Sequence, residues 1–282
     1  MKKILAIVLA LSTLAVFAAC TAAPGNEDEN NGVMTYEEYA AAELNAPVTV
    51  ETYVQAKQSW WDNKATLYTQ SEDGAYFIYE MPITEEEYQK LIPGTKLLVK
   101  GYKAEWSGEV EIVDAQYEIL EGAFVAEAFD ATDLLGKEEL INHQNKFVSF
   151  KGMAVEKVEY KNGEPGDDIY VTLSKDGTSY DFCVEVYLTG TETEVYKSVG
   201  ELAAGDVIDV EGFLYWYEGA NTHITAISAA NEAEVEPEVE AETETNTETE
   251  AENETKTDAA EETETKEETE VTLGDNEFTP NW

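Results

Sequence analysis

Residues 93–112 read PGTKLLVKGYKAEWSGEVEI, and residues 204–224 read AGDVIDVEGFLYWYEGANTHI. The two stretches share one frame. Gly94, Gly101 and Gly108 match Gly205, Gly212 and Gly219, seven residues apart each time. Apolar residues alternate with polar ones between the first two glycines, the period of a pleated strand. The match continues upstream. VTVETYV at 48–54 corresponds to VSFKGMA at 148–154, and Asp73-Gly74 to Asp176-Gly177. An internal repeat therefore organises the middle of the chain.

Each copy reads in the same order. A short helix comes first, MTYEEYAAAEL in copy one and the DATDLLGKEELI region in copy two. Thr35 and Glu38 are spaced as a capping box. A strand follows, VTVETYVQAKQ or KFVSFKGMAVEKVEY, then a turn, WWDN or KNGEPGDD. Two strands cross a hairpin: KATLYTQ-SEDG-AYFIYEM, and IYVTLS-KDG-TSYDFCVEVYL, with Asp-Gly turn chemistry. A second short helix, TEEEYQKLI or TEVYKSVGEL, precedes two final strands. Three strands, a helix and two strands is the order of an OB-fold, a small Greek-key barrel. The phrases LIPGTKLLVKG and LAAGDVIDVEG resemble the fourth and fifth strands of bacterial OB-fold domains. The expected fold is mostly β with short helices: two tandem OB-fold-like barrels, at 34–122 and 123–230. Another small barrel or sandwich with inserted helices is the competing architecture.

The ends differ in kind from the middle. MKKILAIVLALSTLAVFAAC has two lysines, an apolar run and small residues before Cys20, the pattern of a secretory signal. It resembles a bacterial lipoprotein signal with the lipobox FAAC. That resemblance implies cleavage after residue 19, a lipid such as palmitate on Cys20, and a protein anchored on the extracytoplasmic face of the cell membrane. A soluble secreted protein is the alternative. Residues 20–33 read as the lipidated cysteine and its tether. Residues 231–282 carry 20 acidic residues and 2 lysines, with little apolar surface to bury. This Glu/Thr-rich tail is expected to be disordered. A solvated extension, a cation-binding tail and a glycosylated brush all fit its composition. Cys183, in a strand-like run, reads as a small buried hydrophobe.

The OB plan places the aromatic residues. Ligands of such barrels lie across strands two and three, flanked by the loops joining strands one to two and four to five. Trp60 and Trp61 fall on the first loop and Trp106 on the second, with Tyr68 and Tyr79 on the strands between. Tyr215, Trp216 and Tyr217 fall on the second loop of copy two. These eight are the candidate ligand-binding residues. Flat aromatic faces suit sugars and bases. Local packing, against the barrel end or the neighbouring barrel, is the competing role.

Charge and motifs narrow the classes. The net charge is −43, and every one of the 17 basic residues is lysine. Residues 46–230 hold 34 acidic residues against 13 lysines, about −21. Phosphate backbones are held by displacing counterions with Lys and Arg, so the charge argues against nucleic acid, with only Lys57, Lys64, Lys100 and Lys103 near the face. Glu164, Asp167 and Asp168 in a turn lack the alternation of a calcium loop, and His143 and His223 stand without ligand partners, so no metal is expected. No cofactor motif, nucleophile elbow, H-E-x-x-H or phosphate loop occurs, and no catalytic residue is assigned. The expectation is a non-catalytic surface module that binds an oligosaccharide or an envelope protein. A structural spacer or docking module is the alternative, with OB-type nucleic-acid binding behind it.

Overall fold

The computed structural model describes residues 32–230. The signal at 1–19, Cys20, all but the end of the 20–33 tether, and the tail at 231–282 lie outside the described residues. The element order is α1 (Tyr36–Ala41), β1 (Pro47–Lys57), β2 (Lys64–Gln70), β3 (Ala75–Pro82), α2 (Glu85–Tyr88), β4 (Thr95–Trp106) and β5 (Glu109–Ala123). These strands close a barrel in the order β1-β2-β3-β5-β4, with β1 antiparallel to β4 and β3 parallel to β5. This is the OB connectivity. The second copy runs β6 (Phe129–Asp130), β7 (Phe147–Tyr160), β8 (Ile169–Lys175), β9 (Thr178–Val184), α3 (Val186–Thr189), α4 (Glu194–Gly200), β10 (Val207–Phe213) and β11 (Thr222–Ala229). Its sheet order is β10-β11-β9-β8-β7-β6, and a β10–β7 pairing joins five strands into a ring with β6 outside. The chain therefore carries two OB-fold-like barrels.

The repeated glycines have backbone reasons. Gly94 and Gly205 sit at φ 89° and 100°, where a side chain would strain the turn into β4 or β10. Gly101 and Gly212 sit at register shifts in their strands, where the partner backbone closes in. Thr35 and Glu38 form the reciprocal cap of α1. Asp176-Gly177, at φ 52° and 80°, makes the left-handed pair that a two-residue hairpin needs.

Two local expectations are corrected. The DATDLLGKEELI region forms two 3₁₀ turns, Thr132–Leu134 and Glu138–His143, rather than an α-helix. Gly136, at φ 72°, separates them. The run YDFCVEVYL is not strand throughout. β9 stops at Val184, and Glu185 caps α3 by accepting the Tyr187 N–H at 3.0 Å.

Each barrel has its own core. Val50, Leu67, Ile78, Leu97 and Ile112 fill the first; Phe150, Met153, Ile169, Leu173 and Ile224 fill the second. A third cluster belongs to neither interior. Ala56, Tyr68 and Phe77 of the first barrel pack on Leu188 and Phe213 of the second. Successive strand residues face opposite ways. Leu67 and Ile78 therefore fill the barrel while Tyr68 and Phe77 point outward, and the second barrel covers them.

Candidate functional site: an aromatic cleft between the barrels

The seam is built of rings and hydrogen bonds. Tyr68 stacks on Phe213 with centroids 4.5 Å apart, and Phe77 meets the edge of Tyr215 at 5.4 Å. Main-chain groups cross it as well. Ser59 N–H donates to Tyr187 O at 2.6 Å, and Glu218 N–H donates to Ser107 O at 2.7 Å. The Gln70 side-chain oxygen accepts from Phe147 N–H at 2.8 Å. Glu109, with no exposed surface, accepts the Trp216 N–H at 2.9 Å. Burial holds its carboxyl proton on, pushing its pKa up to about 8.

Beside the seam opens a cleft of about 260 Å³. The first barrel supplies Gln58, Phe77, Tyr79, Trp106 and Glu111; the second supplies Glu185, Tyr215 and His223. Tyr215 stacks on the His223 ring at 4.4 Å. Trp106, at the β4–β5 turn, packs on Tyr217 at 5.2 Å across the rim. Tyr68 lies under the cleft. Its hydroxyl is 2.7 Å from His223 Nδ1. Burial raises the phenol pKa well above its usual value and lowers that of the imidazole to about 4. Both are therefore neutral near pH 7. The buried phenol proton needs an acceptor, so Nδ1 takes it and the ring proton sits on Nε2, a tautomer assigned from the hydrogen-bond network.

The carboxylates of the cleft are unpaired. Glu111 is 8% exposed, and its side chain forms no hydrogen bond or ion pair among the described residues. Burial, then the charge of Glu80, raises its pKa. Glu185 uses one oxygen on the α3 cap; its Oε2 is buried without a hydrogen-bond partner among the described residues. Burial pushes its pKa up to about 7. The arrangement offers aromatic faces, an amide, an imidazole and two acidic groups. It presents no lysine.

The eight candidate aromatics separate by place. Tyr79, Trp106 and Tyr215 come together on the cleft, with Tyr217 at its rim. Tyr68 has no exposed surface and is sealed in the seam. Trp60 turns inward on the first barrel, its indole N–H donating to Ile83 O at 3.0 Å. Trp61 is 74% exposed at the head of a left-handed turn made by Asp62 and Asn63, with main-chain bonds in both directions to Lys64. Trp216 packs on the second barrel's core and against Gly108. Adjacent tryptophans thus take one inward and one outward position. Sequence reading overlooked Phe77, Glu111, Glu185 and His223. The apolar run AYFIY was the available signal, because a strand buried on one face alternates instead.

The lysine patch does not form. Lys57 Nζ donates to Tyr88 O and lies 3.8 Å from the centre of that ring, and burial lowers its pKa to about 8. Lys103 donates to three carbonyls of the α1 region, and Lys64 pairs with Glu80. Lys161 pairs with Asp167 and Asp168 in the acidic turn. Cys183 is buried, and burial raises its thiol pKa. His143 stacks on Phe129, away from the cleft.

No protein-family model matches the chain, and no curated protein matches it. Solved structures are similar in fold. A murine DNA binding protein bound with double-stranded DNA has 11% identity and a TM-score of 0.34, over 65% of this chain and 96% of that one. The HINa domain of Ifi202 in complex with a 20-bp double-stranded DNA has 12% identity and a TM-score of 0.30, over 66% and 96%. A deletion mutant of the single-stranded DNA binding protein from Thermus aquaticus has 14% identity and a TM-score of 0.22, over 67% and 96%. Against the expectation that nucleic acid is an unlikely partner, the first two of these structures are complexes with double-stranded DNA.

Proposed function

We propose that the two-barrel unit is a non-catalytic binding module that takes a carbohydrate in the cleft between its barrels. One observation carries this reading: Tyr79, Trp106 and Tyr215 converge there with Gln58, Glu111 and His223. Sugar rings place C–H faces on aromatic rings and hydroxyls on amides and carboxylates, and the cleft offers both kinds of surface. The signal-like sequence ending in Cys20 supports a lipid-anchored, extracytoplasmic setting. Metabolic labelling with a palmitate analogue tests that setting: label should enter the wild type, and label retained by Cys20→Ser would overturn it.

The binding test uses the full chain, titrated with cell-wall and dietary oligosaccharides and followed by tryptophan fluorescence. A saturable change that Trp106→Ala abolishes is expected. A flat response to every sugar would sink the carbohydrate reading. A second reading is single-stranded nucleic acid, since bases stack on exposed aromatic rings as sugars do, and Trp61, Trp106, Tyr79 and Tyr217 are exposed. Single- and double-stranded DNA in the same panel decide between the two.

A further inference from the structure

The charges at the cleft are unlike those elsewhere on the barrels. Several partly buried carboxylates outside it have a partner: Glu51 pairs with Lys96, Glu80 with Lys64 and Asp168 with Lys161, and Asp209 accepts the Gly152 N–H. Glu111 and Glu185 have no lysine partner among the described residues. The two buried lysines among the described residues do not correct this. Lys57 and Lys103 are turned onto backbone carbonyls. Glu111 is the sharper case, because it is more than nine-tenths buried, bonds to nothing and lines the cleft.

A buried carboxylate is costly unless it meets a counter-charge or a donor. A ligand that brings a donor or a positive charge into the cleft would meet that need at Glu111. The remaining wall is aromatic, and the faces of Tyr, Trp and Phe attract cations. The net charge of −43 also favours the approach of cations over anions. We infer that the cleft recognises a protonated amine carried on its ligand, so that the preferred carbohydrate is an amino sugar with a free amine, its ammonium set between Glu111 and Glu185 against the Trp106 and Tyr79 rings. This inference rests on the carbohydrate reading above and narrows it.

Matched oligomers test it. Calorimetric titration of the full chain at physiological salt compares the β-1,4 tetramer of glucosamine with that of N-acetylglucosamine. The two differ at the nitrogen substituent of the ring, a protonatable amine in one and an uncharged acetamide in the other. Wild-type protein should prefer the free amine by about tenfold, the gain of one desolvated cation–aromatic or ion-pair contact. Glu111→Gln and Glu185→Gln should each bring that ratio close to one. Both substitutions keep the side-chain shape, and the amide introduced by Glu185→Gln would retain an oxygen for the α3 cap. Glu138→Gln, at an exposed site, should leave the ratio as it was.

Equal affinity for the two tetramers in the wild type would overturn the amine inference and leave the carbohydrate reading standing. A preference that survives both cleft variants would overturn it too, since the amine would then be held by acidic residues elsewhere. Silence toward both tetramers and the whole sugar panel would remove both readings together.

Discussion

Glu109 is a carboxylic acid set among the groups that join the barrels, and its titration should register in stability. Its pKa rises from an ordinary 4.5 to about 8 in the folded chain, and that of Glu185 to about 7, each mainly through burial. A carboxyl raised on folding binds its proton more tightly in the native state. Its contribution is complete below the unfolded pKa and is lost as pH climbs through the folded one. His223 has the opposite sign: lowered from 6.5 to about 4, it costs stability as pH falls between those values. From pH 6.5 to 8 the unfolded-state imidazole finishes losing its proton and Lys57, lowered to about 8, starts to lose its own in the fold; both oppose the carboxyls, so the Glu109 share is read from the difference between wild type and Glu109→Gln. Urea unfolding should show stability falling from pH 6.5 to 8, with a slope of at most about 1.4 kcal/mol per pH unit for each proton. Glu109→Gln, which keeps an oxygen for the Trp216 N–H, should flatten that slope. An unchanged slope would mean that Glu109 is ionised in the fold. Nothing in the sequence marks this residue among the 34 acidic residues of 46–230, because burial is a property of the opposing barrel.

At the scale of the element, the repeated glycines separate into those the backbone requires and those it does not. A Cβ on Gly212 would fall against the His223 carbonyl across the β10–β11 bulge, while a Cβ on Gly219 would meet open space. Gly212→Ala should destabilise by about 2 kcal/mol or more, since backbone cannot yield as a side chain does, and Gly219→Ala should stay within about 0.5 kcal/mol. Denaturant midpoints of the two variants give the comparison, and equal costs would refute the bulge argument. These glycines made the barrels legible, since their spacing reports turns and close approaches that any sequence of this fold must provide. The 3₁₀ turns before β7 were not legible. DLLGKEELI has the apolar spacing of a helix, and Gly136 in a left-handed conformation interrupts it. The end of β9 was hidden for a related reason. FCVEVYL has strand propensity throughout, and the Glu185 cap decides where the chain turns.

For the whole molecule, the seam determines whether the cleft exists at all, because its walls come from both barrels. The loop tryptophans pointed to this region from sequence, but period-two reasoning assigns a strand one buried face. Tyr68 and Phe77 are buried on the other face by a partner about 140 residues away in the chain. Phe213 is the keystone: it stacks on Tyr68, packs on Phe147 at 5.3 Å and belongs to the seam cluster rather than to a barrel core. Truncating a buried aromatic costs about 3–5 kcal/mol. In Phe213→Ala that loss falls on the docking of two units that each keep a core. The wild-type chain should therefore unfold in one calorimetric transition, and Phe213→Ala should show two, with Tyr68 newly open to solvent. Ligand binding at the cleft should disappear in the same variant at temperatures where both barrels remain folded, although Phe213 does not line the cleft. Two transitions in the wild type would mean that the seam is too weak to couple the barrels. One transition in the variant, with binding intact, would mean that the hydrogen bonds through Ser59, Gln70, Glu109 and Glu218 hold the cleft without the aromatic stack.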